Sequence, residues 1–206
     1  MIGKLIINKR VNVEVMKNVL STIWKLISRM SITEIGSRLF IFQFEDNEEK
    51  ERVLLRQPWS FSKSLPVMEI LNDQPKPEEV NWQWCPFWVQ IHGLPLGLMT
   101  RKIGIVLGES IGDVKEIDIE GEQMAWGRYL RVRVVKDITK PLKRGSKLAV
   151  VGQGSVIAVF KYERLPDFCY ICGCLDHQEL DCDDAVRMTI ADGKVKREYG
   201  LWLRTK

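Results

Sequence analysis

The sequence predicts an α+β fold in which two ferredoxin-like halves, or one mixed sheet, precede a small cysteine-rich module. Three observations predict it: β-branched and aromatic runs alternate with helical periodicity, the order of elements nearly repeats, and four of the five cysteines lie within residues 169–182. The expected units are residues 1–79, residues 80–165, the module at 166–184 and a basic tail at 185–206.

The first unit is predicted to run strand, helix, two strands, helix, strand. The β-branched run "KLIIN" at residues 4–8 reads as a strand, and Asn12 is suited to cap the helix that follows. Apolar residues recur in that helix at spacings of three to four: Met16, Leu20, Ile23, Ile27 and Met30. "RLFIFQF" at 38–44 has strand composition, and its period of two places the rings of Phe40, Phe42 and Phe44 together in the core.

The second helix of this unit has an N-terminal signature. Asp46 and Glu49 resemble a capping box, and the helix must stop near Pro58. "SLPVMEIL" at 64–71 is predicted to be a strand. The two prolines and missing periodicity of residues 72–81 predict a connector to the second unit.

The second unit begins with a similar order of elements. "FWVQIHGLP" at 87–95 reads as a strand, and "RKIGIVLGESIG" at 101–112 reads as a helix. Three further strands are expected at 114–120, 128–138 and 155–165. The repeat favours two related ferredoxin-like halves, but the pattern is also compatible with one mixed sheet.

The cysteine-rich module has the ligand spacing of a CCHC zinc knuckle. Cys169 and Cys172 are separated by two residues, and His177 and Cys182 each follow after four more. Three sulfurs and one nitrogen form a closed tetrahedral set suited to Zn²⁺, with no open position for a catalytic water, so we expect no enzymatic activity. Cys174 is expected to be a spectator. Residues 1–165 are expected to fold without the metal.

Composition limits the remaining function classes. The chain has 206 residues, 45% of them hydrophobic and 28% charged, with a net charge of +4. No apolar run approaches the roughly 18 residues of a membrane span, so no membrane partner is expected. Cysteines clustered at metal-ligand spacing indicate a reducing compartment, which predicts an intracellular protein of the nucleus or cytoplasm. His92 has no cysteine or serine partner in sequence and is expected to be structural.

Charges are distributed unevenly around the module. Residues 166–184 contain no Lys or Arg but six acids: Asp167, Asp176, Glu179, Asp181, Asp183 and Asp184. The stretch 128–147 carries eight cations against Asp137, and the tail adds six against two acids. The flanks, rather than the module itself, are therefore expected to contact phosphates.

A basic strip with nearby aromatic residues is suited to a single nucleic-acid strand. Arg131 and Arg133 alternate with valines, which places both cations on one strand face. The alternative is an ordinary solvated sheet face, and the residues alone do not separate the two. Tyr170, directly after the first ligand, is the aromatic expected to touch a base. The predicted nucleic-acid contacts are Arg128, Arg131, Arg133, Lys136, Lys143, Arg144, Tyr170, Lys194, Lys196 and Arg197.

Several segments together resemble a plant family. "YERLPDFCYICGCLDH" is very similar to the knuckle of plant Gag-like proteins from LINE-type retrotransposons, and "LFIFQFEDNEEKERVLLRQPWSFSKSLPVME" and "PFWVQIHGLPLGLMTRKIG" look like the plant domain of unknown function that precedes such knuckles. The resemblance implies a zinc-binding, nucleic-acid-associating protein without known enzymatic activity, here as a fragment or degenerate copy. Asp176 departs from the family, which usually has glycine before the histidine ligand.

Two functions remain open. The first is non-catalytic, zinc-dependent binding of single-stranded RNA or DNA with weak sequence preference. The second is a protein-interaction module in which zinc fixes a loop whose acids meet a basic partner. No small-molecule substrate is expected, and self-association stays open.

Overall fold

The computed structural model describes residues 1–6, 11–70, 79–119, 127–150 and 154–205. It confirms the α+β class, with two antiparallel sheets of four and five strands. The single mixed sheet is therefore excluded. No helix within the described ranges is long and apolar enough to cross a membrane.

The first sheet has the strand order of a ferredoxin-like fold, β2-β3-β1-β4. Its elements are β1 (Ile2–Leu5), α1 (Val13–Trp24), β2 (Met30–Gly36), β3 (Leu39–Phe44), α2 (Asn47–Leu55) and β4 (Pro66–Glu69). Met16 and Leu20 of α1 share one core with Phe40 and Phe42 of β3, as the apolar pattern predicts. Phe44 is half-buried, and its ring stacks on Trp24 with centroids 5.9 Å apart.

Helix α1 is shorter than its apolar periodicity predicts. Asn12 caps it as expected, accepting a hydrogen bond from the backbone N–H of Val15 at 3.1 Å. The helix ends at Trp24 because Lys25 adopts a left-handed conformation with φ of 52°. Trp24 completes the buried stripe, whereas Ile27, predicted to belong to it, is 95% exposed.

Helix α2 has only half of the predicted capping box. Asp46 accepts from the backbone N–H groups of Glu48 at 2.7 Å and Glu49 at 3.4 Å. The Glu49 carboxylate does not return to Asp46. It instead accepts from the backbone N–H groups of Ile27 and Ser28, which fixes the loop between α1 and β2.

The second sheet has the order β6-β7-β5-β9-β8. Its elements are β5 (Trp84–His92), α3 (Arg101–Glu109), β6 (Asp113–Asp118), β7 (Leu130–Asp137), β8 (Gly145–Val150) and β9 (Gly154–Tyr162). Strands β6, β7, β5 and β9 repeat the ferredoxin-like order. The edge strand β8, which the sequence pattern did not predict, occupies the place in the chain of a second helix.

Helix α3 covers one face of the second sheet at close range. A Cβ added at Gly108 would lie 2.6 Å from Cγ2 of Val114, and one at Gly104 would lie 3.1 Å from Cδ1 of Ile117. Two glycines one turn apart therefore let the helix backbone approach the strands.

The two sheets are joined by packing and hydrogen bonds. Leu65 and Val67, from the first sheet's last segment, belong to the core of the second sheet. The backbone N–H of Asp167 donates to the Lys63 carbonyl at 2.8 Å. The predicted connector at 72–81 lies largely outside the described residues.

Candidate metal centre

The structure brings the four predicted zinc ligands together. One ligand atom from each of Cys169, Cys172, His177 and Cys182 lies within 4.8 Å of the others, and Cys172 Sγ is 3.2 Å from His177 Nε2. Three thiols and one imidazole nitrogen at these separations fit a tetrahedral zinc ion. These four side chains alone would fill all positions of a tetrahedral zinc site.

A tight turn presents the first two thiols. The backbone N–H of Gly173 donates to the Cys169 carbonyl, and the N–H of Cys169 donates to the Cys174 carbonyl, both at 2.9 Å. Gly173 has φ of +79°, as the turn predicts, and any Cβ there would collide with the ring of Tyr199. Cys174 is not part of the four-residue cluster; its backbone N–H points at Cys172 Sγ at 3.5 Å.

Asp176 orients the histidine ligand. Its Oδ1 lies 2.7 Å from His177 Nδ1, so Nδ1–H donates to the carboxylate and the Nε2 lone pair is left to face the thiols. Asp176 does not adopt a positive φ, which explains why a residue other than glycine fits this position. The sequence pattern missed this role, although an acid directly before a ligand histidine was a usable signal.

Burial favours the protonated form of two of the three ligand thiols. It raises the pKa of Cys169 and of Cys172 to about 12 in each case. Burial also opposes ionisation of Cys182, but the hydrogen bond from His177 lowers its pKa overall. Loading zinc therefore requires the release of thiol protons.

The acids of the module are largely paired. Asp167 meets Arg204 at 2.7 Å, Glu179 meets Arg197 at 2.8 Å, and Asp184 meets Arg187 at 3.3 Å. Arg197, predicted to contact phosphate, is thus engaged with the module itself. Asp181 and Asp183 are exposed, and no ion pair to either occurs in the described part of the chain. Arginines of the tail thus pair with three of the six acids that were expected to repel nucleic acid.

The module docks on the second sheet rather than projecting from it. Phe168 and Leu175 are buried in that sheet's core. The Leu142 N–H donates to the Gly173 carbonyl at 2.9 Å, and the Tyr199 N–H donates to the Tyr170 carbonyl at 3.0 Å. Residues 166–184 therefore help to complete the core of the second sheet, a contribution that the expectation of metal-independent folding for residues 1–165 did not include. Helix α4 (Asp183–Asp192), also not predicted, starts directly after the last ligand.

Arg131 lies on the open side of β7, as predicted, but is already paired. Its Nε and Nη2 donate to the two carboxylate oxygens of Glu163 at 2.8 Å each, and Nη1 donates to Asp118 at 2.9 Å. The guanidinium lies 3.8 Å above the ring of Trp88. Arg133 shares this face, and none of the described carboxylates lies within 4.0 Å of it.

Lys136 contradicts its predicted role as a phosphate contact. It is 3% exposed, and its Nζ donates to the carbonyls of Asp137 at 2.7 Å and Lys140 at 2.9 Å. Burial lowers the pKa of this amine to about 8. The same alternation that places Arg131 and Arg133 outward places Lys136 inward, so the sequence contained this information.

The other predicted contacts have different surroundings. Lys143 and Arg144 line an open cleft of about 720 Å³, where the Lys143 Nζ donates to the Ser110 carbonyl and Arg144 pairs with Glu198 at 3.3 Å. Tyr170 is half-buried, with its ring 5.0 Å from that of Phe168. The remaining three are solvent-exposed: Arg128, Lys194 and Lys196. Lys196 lies 3.6 Å from the same Glu198 carboxylate that pairs with Arg144.

Comparison with known proteins found family matches for two segments of the chain. Residues 1–79 match the family model described as Domain of unknown function (DUF4283), and residues 136–184 match the one described as Zinc knuckle. The chain is 27% identical over 136 residues to the uncharacterized protein At4g02000 of Arabidopsis thaliana, a match that covers 63% of this chain and 41% of that relative. The chain thus combines similarity to this domain of unknown function with a zinc knuckle, whose matched region includes strands of the sheet on which it packs.

Proposed function

We propose that this chain is a non-catalytic, zinc-dependent protein that binds single-stranded RNA or DNA with weak sequence preference. The observation that carries the proposal is the cluster of three thiols and one imidazole within a segment that matches the zinc knuckle family. Zinc knuckles are among the common modules that recognise single-stranded nucleic acid.

The donor set supports a structural rather than a catalytic metal. Cys169, Cys172, His177 and Cys182 supply four ligand atoms, which is the full complement of a structural zinc site. Zinc bound there would hold the turn that carries Tyr170 and would fix the start of α4. The chain's own side chains, outside this set, would contact the nucleic acid.

The proposal extends to origin and location. The motifs shared with plant Gag-like proteins support a retrotransposon Gag-like origin. Thiols gathered at a metal site favour a reducing environment, so we place the protein inside the cell, in the nucleus or cytoplasm. No small-molecule substrate forms part of this function.

A titration at two salt concentrations tests the function. Fluorescently labelled single-stranded U20 and dT20 should bind the zinc-loaded chain with Kd values in roughly the micromolar range or weaker, and affinity should fall as salt rises. Stripping the metal with a chelator should weaken binding. A zinc-loaded chain that ignores both oligonucleotides at low salt would refute the proposal.

A protein-interaction role is the second candidate because apolar side chains are exposed around α4. Leu180 is 96% exposed, Ile190 81% and Val186 58%. A chain that ignores nucleic acid but associates with itself or with a basic peptide in a zinc-dependent way, measured by analytical ultracentrifugation, would favour this role.

A further inference from the structure

The side of the second sheet opposite α3 carries a set of stacked and charged side chains. Cross-strand pairing places Trp88 of β5 opposite Arg133 of β7, and Gln90 opposite both Arg131 of β7 and Lys161 of β9. Residues paired in this way project from the same side of a sheet. We call this side the open face. Trp88 and Lys161 belong to it, and neither was recognised as a functional residue in the sequence.

Arg131 forms a fixed plane on the open face. Its guanidinium stacks 3.8 Å above the Trp88 ring, and the carboxylates of Glu163 and Asp118 hold its edge at 2.8 and 2.9 Å. The side chain keeps 29% of its surface exposed. The positive charge is paired along the edge of the guanidinium, and one side of its plane faces Trp88. The other side of the plane is therefore the one that could stack on a base. Unpaired bases stack on such guanidinium planes.

Arg133 and Arg164 place two further guanidinium groups beside that plane. Arg133 is half-buried, 5.6 Å from the centre of the Trp88 ring, and Arg164 lies 4.5 Å above Trp59 with Nη1 donating to the Arg56 carbonyl at 2.8 Å. Among the described residues, no carboxylate oxygen lies within 4.0 Å of either guanidinium. Burial lowers the pKa of Arg133, and the charge of Glu116, its cross-strand partner on β6, opposes this effect without reversing it. A partly desolvated cation that no carboxylate contacts directly favours an anionic ligand.

A pair of aromatic rings lies further along the same face. The His92 ring is 5.0 Å from that of Tyr129, and His92 pairs across the strands with Val159, two residues from Lys161. His92 is four residues from Trp88 on β5, which corresponds to roughly 13 Å along a strand. The open face therefore has two aromatic positions, with arginines beside one and Lys161 near the other.

We propose that the open face binds single-stranded nucleic acid, with a base stacked on Arg131 and backbone phosphates bound by Arg133 and Arg164. This inference rests on the proposed function and gives it a site away from the zinc knuckle. A single strand supplies both planar bases and regularly spaced phosphates. An acidic peptide would satisfy the arginines alone, and a duplex keeps its base faces stacked inside.

A charge-matched pair of variants tests the site. Arg133→Gln with Arg164→Gln removes two cations from the open face, whereas Arg101→Gln with Lys102→Gln removes two exposed cations from α3 on the other side. On U20 at low salt, we expect the first variant to bind about tenfold more weakly, with a salt slope lower by roughly 1.4, and the control to match wild type. Thermal melts and zinc content of both variants establish that each is folded.

Photocrosslinking locates the contact without any substitution. Irradiation of the zinc-loaded chain on 4-thiouridine-labelled U20, followed by peptide mapping, should place adducts in residues 84–92 and 128–134. The site would be overturned if the open-face variant and the α3 variant bound the oligonucleotide equally well and adducts were confined to residues 166–206. The proposed function would remain intact in that case. Absence of binding by wild type would overturn both. Zinc-independent dimerisation that the arginine variant abolishes would assign the face to a second copy of the chain instead.

Discussion

The Oδ1 atom of Asp176 lies 2.7 Å from the Nδ1 atom of His177, while the Nε2 atom of the same ring is 3.2 Å from Cys172 Sγ. One carboxylate thus sets the tautomer and orientation of the ligand nitrogen. Such a partner makes the imidazole a better zinc donor. Asp176, at the position where the sequence resemblance leads one to expect glycine, therefore has a role in this site.

Replacing Asp176 should weaken zinc binding. Asp176→Gly keeps a residue that the turn accommodates but removes the carboxylate, and we expect zinc affinity to fall by roughly 10- to 100-fold. Competition with a chromophoric chelator measures it. Asp181→Gly, which removes an exposed acid from the same module, is the control and should bind zinc nearly as wild type does. Equal affinities in the two variants would show that Asp176 does not orient the ligand.

Loss of zinc should destabilise the second sheet more than the first. Cys169→Ser should abolish stoichiometric zinc, and Phe168 and Leu175, which anchor the module in the second core, should then lose their fixed position. Hydrogen exchange should accelerate in β7 and β8, while β2 and β3 keep their protection. Elemental analysis showing full zinc in the variant would contradict the ligand assignment. Unchanged exchange in β7 and β8 would contradict the docking of the module.

The sequence predicted the parts of the fold that depend on local periodicity. The alternation in β3 correctly placed Phe40 and Phe42 in the core, and the alternation in β7 placed Arg131 and Arg133 on one face. Ligand spacing alone identified the four residues that cluster. Non-local effects were missed. Helix α1 ends early because Trp24 fits the core and Lys25 closes the turn, although apolar residues continue beyond it.

The missed elements have a common physical cause. Strand β8 is defined by its pairing with β9 from Gly145↔Val159 to Val150↔Gly154, and its own residues alternate only weakly. The open face is likewise assembled from three strands, since Trp88, Arg131 and Lys161 are distant in sequence. Pairing partners that lie far apart in the chain cannot be read from one segment's pattern.

The buried amine of Lys136 should give a measurable pH dependence. Its folded-state pKa is lowered from 10.5 to about 8, mainly by burial, so between these values the unfolded chain binds more protons and stability rises with pH. Wild type should therefore gain about 1 kcal/mol relative to Lys136→Met between pH 7 and 9.

Comparing the two proteins isolates this amine from other groups. Asp137, Lys140 and Cys174 also influence its pKa, but all three remain in the Lys136→Met variant. Urea unfolding at pH 7, 8 and 9 measures the difference. If the stability of wild type relative to Lys136→Met stays constant or falls from pH 7 to 9, the amine does not titrate as a buried group.

Replacing Arg131 by lysine should separate stacking from charge. Lysine keeps the positive charge but has no plane, so Arg131→Lys should weaken binding to single-stranded U20 by roughly two- to tenfold while leaving the salt slope unchanged. Arg101→Lys makes the same chemical change on α3 and should bind as wild type does. This result is expected because stacking on Trp88 and the ion pair with Glu163 fix the orientation of the guanidinium plane, which lysine does not have. Arg131 would instead be a simple phosphate contact if Arg131→Lys bound with the affinity and salt slope of wild type. In that case Arg131→Gln should lower the salt slope by about 0.7.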